Sequence, residues 1–158
     1  MESVLKVASY IAQRYQREFG ERISEMKLHK LLYFTQRESL IKLGQPMFRE
    51  DFLAWRYGPV IPSIRSLYAQ NQLNNMPDQD WIDANKSVLD FVFSYYAPKE
   101  AWSLSSLSHG ELSWQRARQG LSTEANGDVA LSLNDIRKDA QRIKWRRYIL
   151  DLYKTKKQ

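Results

Sequence analysis

MKLHKLLYFTQ, residues 26–36, sets the frame for the whole chain, because Leu28, Leu31, Leu32 and Thr35 recur at helical spacing and Leu40 and Leu43 extend the same face. The flanks define its ends. Ser24 can cap free amides, Glu25 suits the first turn, and Gly44 followed by Pro46 stops the pattern. On this spacing Lys27, Lys30 and Arg37 are expected to face solvent.

Working outward, Val4, Ala8, Ile11 and Tyr15, flanked by Leu5, Ala12 and Phe19, give a preceding amphipathic helix that Gly20 can end in a left-handed conformation. After Pro46 the pattern shortens. Phe48, Phe52 and Trp55 suggest a helix-like lead, then an extension through Arg56 to Tyr57 that the Gly58-Pro59 step ends. Ile61 to Tyr68 returns to helical spacing, with Pro62 tolerated in the first turn. NQLNNMPDQD, residues 71–80, reads as an exposed connection and the best candidate for a mobile insertion. Val88, Phe91, Val92 and Tyr95 predict a further helix face, and Trp102, Leu104, Leu107, Leu112 and Trp114 anchor the next stretch around a hinge at 108–110. Residues 120–132 predict a loop or small hairpin. A last helix is expected with Asn134 as its cap and Ile136, Ile143, Ile149, Leu150 and Tyr153 as its apolar residues. The resulting fold class is mainly α, with two or three short extended segments.

At 158 residues the chain has the size of one domain. Hydrophobic residues at 43% and charged residues at 27% suit a soluble globular protein. The opening MESVLKVASYIAQRYQREFG lacks the basic leader and continuous apolar core of an export signal, and no run approaches the roughly 20 apolar residues of a membrane helix. A cytoplasmic protein with no membrane partner is the plain expectation. The lack of cysteine excludes disulfides, thiolate chemistry and cysteine-ligated zinc. The formal charge of +6 is uneven: residues 137–158 hold nine Lys or Arg against Asp139 and Asp151, a local +7, which leaves −1 for the remaining 136 residues. That ending reads as a solvated tail, a surface for an acidic protein, or a nucleic-acid contact.

Catalytic motifs are missing. His29 and His109 are the two imidazoles; His29 sits in KLHKLL and His109 in SLSHGE, beside Ser105, Ser106 and Ser108, with neither GxSxG nor HExxH spacing. Asp78, Asp80 and Asp83 lack the glycine and distal glutamate of a calcium loop, and no glycine pattern cradles a phosphate. No enzyme activity, metal or cofactor is therefore expected.

MKLHKLLYFTQ, then GQPMF at 44–48, AWRYGPVIPSI at 54–64 and LSHGELSWQRAR at 107–118, in that order, closely resemble the SocA-like antitoxin family, the Panacea domain, also associated with the phage protein GepA. The resemblance, which extends through roughly residues 4–118, implies a compact helical domain that neutralises a cognate protein toxin, encoded by an adjacent gene, through direct binding, and the chain 1–158 reads as a single domain of that kind. It further implies a role as a proteolysis adaptor in at least one branch, with protease machinery as a partner. His29 stands where similar motifs often have glutamine. The residues 134–158 form a basic helix and tail on this reading, and a nucleic-acid-binding regulator using them is the alternative. Within WRYGPVIPSI, Trp55, Arg56, Tyr57 and Pro59 suit a rigid toxin-facing ridge, or an anchor of the corner to the core. His109, Trp114, Arg146 and Arg147 complete the expected partner-binding set.

Overall fold

The computed structural model describes residues 1–156 and is mainly helical. Its elements are α1 (Val4–Phe19), α2 (Glu25–Lys42), β1 (Leu53–Trp55), β2 (Gly58–Val60), α3 (Pro62–Ala69), α4 (Gln79–Ala84), α5 (Lys86–Tyr95), α6 (Ala101–His109), α7 (Leu112–Ala117) and α8 (Leu133–Lys156). Local chemistry sets most boundaries. Gly20 ends α1 at φ 75°, the Ser24 hydroxyl accepts from the Lys27 amide to start α2, Pro62 occupies the first turn of α3, and the Asp78 carboxylate caps α4.

Helix α2 is the axis of the molecule. It packs against α1, α5, α6, α8 and β2, and every residue from Leu28 to Leu40 is buried. The expectation that Lys30 and Arg37 face outward is overturned, since they are 1% and 3% exposed. A helix enclosed on all sides must bury its polar positions too, and those positions need partners. Around Arg37 they find them: it pairs with Glu111 and bonds Tyr96, while the Tyr33 hydroxyl meets Glu111 at 3.0 Å, Ser113 at 3.1 Å and Asp139 at 3.3 Å. Asp139, from α8, also accepts from the amides of Leu112 and Ser113, so a buried carboxylate caps α7.

The helical lead expected through Phe48 and Phe52 is absent. Both rings are buried, but residues 43–52 run irregularly into β1, which pairs antiparallel with β2 in the register Leu53 to Val60 and Trp55 to Gly58. Arg56 and Tyr57 thus form the two-residue turn and not an extended piece. The loop at 120–132 lies along the free edge of β1, donating from Leu131 to Phe52 and from Gly127 to Ala54. The segment at 71–80 is also pinned, with Leu73 and Met76 packed on the core and the Asn75 amide bonded to Ser9.

Several apolar expectations shift faces. In α5 the buried residues are Val88, Leu89, Val92 and Phe93, leaving Tyr95 exposed; Trp102 and Leu107 of α6 are exposed as well. Ser132, not Asn134, accepts from the first-turn amide of α8. Ile136 and Ala140 cover the core, whereas Ile149, Leu150 and Tyr153 are exposed.

Candidate functional site

Two surfaces collect the residues singled out from sequence. At the first, the β1–β2 hairpin is held from behind through its own carbonyls. Trp114 donates its indole N–H to Trp55 at 2.9 Å, Arg118 donates to Ala54 at 2.8 Å, Ser105 donates to Tyr57 at 2.6 Å, and Lys30 donates to Pro59 at 3.3 Å. His109 stacks on Trp114 at 4.2 Å. Trp55, Arg56, Tyr57, His109 and Trp114 therefore converge on one corner. Pro59 is buried beneath it, while Arg56 and Tyr57 project from the turn, the guanidinium over the ring at 4.9 Å.

Gly58 explains the tightness of this corner. Its φ of +118° belongs to glycine, and an added Cβ would stand 2.4 Å from Lys30 Cε and 2.5 Å from Ser108 Oγ. Below the hairpin a cavity of about 360 Å³ opens between α2, α3 and the loop at 120–132, lined by Met26, Trp55 and Val60 and by the charged residues Glu25, Lys30 and Arg65. Burial holds the Lys30 ammonium down at about 7, with Glu25 opposing that shift. Burial, reinforced by Lys30 and Arg65, also lowers His29 to about 3. Burial lowers His109 too, with the Arg56 backbone partly offsetting it.

Arg146 and Arg147 lie at the second surface, apart from that corner. Arg147 grips the fully buried Glu38 through two bonds of 3.0 and 2.6 Å. Arg146 is exposed and lines a groove of about 420 Å³ between α5, α6 and α8, with Tyr95, Leu107, Arg142 and Leu150. Beyond the groove the outer half of α8 exposes Trp145, Tyr148, Ile149 and Leu152. Their spacing puts these four on one stripe, and Trp145 stacks on Tyr148. Lys144 and Arg146 flank it, Lys156 continues it and Lys154 lies on the opposite side of the helix, with no ion pair for these four among the described residues; Lys157, part of the basic run, lies outside them.

The sequence reading missed Lys30, Glu38 and Glu111 as interior groups. One signal for them is LLYF, residues 31–34: four large apolar residues in succession point to all sides of a helix, which requires a buried one. Among the described residues no group of three or more His, Cys, Asp or Glu could hold a metal ion, and no helix is long and apolar enough to cross a membrane.

An all-round buried α2, a hairpin bound by its carbonyls and a C-terminal helix that exposes an aromatic and apolar stripe describe a mainly helical module. The family model described as antitoxin SocA-like, Panacea domain, matches residues 28–115, more than half of the chain. The protein belongs to the SocA-like Panacea domain antitoxin family. It is also similar to Antitoxin SocA of Caulobacter vibrioides (strain NA1000 / CB15N), 39% identical over 49 residues that cover 31% of this chain and 26% of that relative. The chain thus aligns with only about a quarter of the curated relative's length. No solved structure matches the chain.

Proposed function

We propose that this protein is an antitoxin that neutralises a cognate protein toxin by direct contact, and that the outer half of α8 is the main contact surface. The observation carrying this reading is the stripe of Trp145, Tyr148, Ile149 and Leu152, exposed between 45% and 63% on a helix whose inner half is packed. Aromatic anchors with a cationic rim are what concentrate binding energy at protein interfaces. Charge complementarity gives the toxin an acidic face opposite Lys144, Arg146 and Lys156. The groove beside Arg146 and Leu107 extends the surface toward the about 800 Å² per partner of a stable complex. Arg56 and Tyr57 supply a second contact, with Pro59, His109 and Trp114 fixing the corner behind them.

Arg142 and Arg147 favour a protein partner over nucleic acid. Arg147 turns inward to Glu38 and Arg142 donates to the Gly110 carbonyl, so the basic run offers fewer free phosphate contacts than its charge suggests.

Coexpression with the adjacent gene product tests the reading. Neutralisation predicts that the tagged protein recovers that product and relieves its growth inhibition. Trp145→Ala should weaken the complex by about 30-fold or more, the cost of losing an interface anchor. Relief with an unchanged toxin level supports blockade by binding, and relief with a shortened toxin half-life supports the adaptor role. Failure to recover the adjacent product or relieve inhibition overturns the antitoxin function, and binding unaffected by Trp145→Ala overturns the assignment of α8.

A further inference from the structure

The cavity under the hairpin contains polar groups that the fold leaves unspent. Lys30, 1% exposed, makes one hydrogen bond, to the Pro59 carbonyl, so an ammonium with three donors has two left over. His29 is 2% exposed, and its Nδ1 accepts from the Ile61 amide, which places the neutral ring's proton on Nε2. That Nε2 is buried without a hydrogen-bond partner, 3.6 Å from Glu25 Oε1, which accepts no hydrogen bond and is paired with Arg65. Buried donors left unmatched are costly, and a fold built only for stability would fill such a site with apolar side chains.

We propose that this cavity is a ligand-binding site for a small molecule bearing a single carboxylate, with the Lys30 ammonium and His29 Nε2–H as its donors and Met26, Trp55 and Val60 as the wall for an apolar body. The volume of about 360 Å³ falls within the range of small-molecule pockets. Charge selects the ligand. Lys30, Arg56 and Arg65 face Glu25 and Glu124 across the lining, and Arg65 is already 3.4 Å from Glu25 Oε1, so one anionic charge is matched and the dianion of a phosphate ester is not. Trp55 is held in place by Arg65 over its ring at 5.2 Å and by the Trp114 bond to its carbonyl. The wall is therefore formed before a ligand arrives. This site stands independently of toxin binding.

Protonation sharpens the expectation. Lys30 is held near 7 by burial among Glu25 and His29 of α2, Arg65 of α3, Arg56 of the turn and His109 of α6. His29, held near 3, stays neutral across the physiological range. A carboxylate favours the charged ammonium, so its affinity is highest below pH 7 and falls as the pH rises through 8.

The test is ligand-observed NMR titration of the full chain with benzoate, phenylacetate and hexanoate as probes, and with benzyl alcohol and phenyl phosphate as the neutral and dianionic controls. At least one carboxylate should bind saturably at pH 7, where phenyl phosphate is mostly the dianion, about tenfold or more tighter than either control, and weaken at pH 8.5. Lys30→Met should remove that preference while leaving a cooperative unfolding transition. Met26→Trp, which fills the cavity while keeping the Lys30 ammonium, should abolish binding even if Lys30→Met misfolds. No saturable carboxylate binding up to 10 mM, roughly the weakest affinity a pocketed ion pair leaves, overturns the proposal. Equal binding by either variant, or tighter binding of phenyl phosphate, overturns it as well.

Discussion

At Gly58 a single missing carbon governs the hairpin. Its positive φ and the close approach of Lys30 and Ser108 mean that alanine there meets backbone strain and must displace two side chains from their bonds to the Pro59 and Ser105 carbonyls. Gly58→Ala should cost about 3 kcal/mol, read as a lowered urea midpoint at unchanged m-value. Lys30 makes a second residue-scale prediction with a definite sign. The folded chain gives up the Lys30 proton near 7, whereas the unfolded chain keeps it to about the ordinary 10.5. Between those values the unfolded state binds more protons, so this group's contribution to stability grows as pH rises and is lost as pH falls toward 7. The difference in unfolding free energy between the wild type and Lys30→Met should therefore climb by up to about 1.4 kcal/mol per pH unit across that window. A flat difference from pH 7 to 10 would show that Lys30 is solvated in the folded protein.

Helices α2 and α8 show what is legible at the scale of an element. The ends of α2 can be read from Ser24, Gly44 and Pro46, and the end of α1 from Gly20, because capping is chemistry within a few residues. The buried polar side of α2 cannot be read in the same way. Lys30, Arg37 and Glu38 look like solvent-facing residues until Pro59, Glu111 and Arg147 arrive from 29, 74 and 109 residues away. The Trp55, Tyr57 and Trp114 corner is legible from its residue types, but whether each ring binds or anchors depends on which side of the hairpin faces inward. Alpha-helical spacing likewise groups Ile136 with Ile149, although only the first meets the core. Arg147, chosen from sequence as a partner contact, carries the join between the two helices. Glu38 has no exposed surface, and the side chain of Arg147 retains 31%. Arg147→Met should cost about 2 kcal/mol, below the usual penalty for stranding a buried charge because water reaches one partner. Combining it with Glu38→Gln should recover much of that loss, and the double-mutant cycle in urea measures the coupling. Additive losses would place Glu38's stabilisation elsewhere, with Arg37 at 4.0 Å the nearest alternative cation.

For the whole molecule, α8 separates folding from recognition along its own length. Its inner half supplies Ile136, Asp139 and Ala140 to the interior and ends in the Arg147 clamp; the residues after Tyr148 expose their apolar and basic side chains. Ending the chain at Tyr148 removes Ile149, Leu152, Lys154 and Lys156 but keeps Trp145, so it should leave the unfolding free energy in urea within about 0.5 kcal/mol of wild type, the range of surface changes, while shortening the lifetime of the toxin complex. Ending it at Ser132 should uncover the core and prevent cooperative folding. A third variant isolates electrostatics. Replacing Lys144, Arg146, Lys154 and Lys156 with glutamine leaves the clamp and the apolar stripe intact, so the complex should still form, but its association rate at low salt should fall and lose its dependence on ionic strength. The three variants assign distinct losses: stability to the inner half, residence time to the stripe, and encounter rate to the cations. If truncation at Tyr148 lowered stability by several kcal/mol, the outer half would be packing in solution against a surface of its own chain. If it left toxin affinity untouched, binding would reside at Trp145 and Tyr148, or at the body, where Arg56 and Tyr57 project from the hairpin turn.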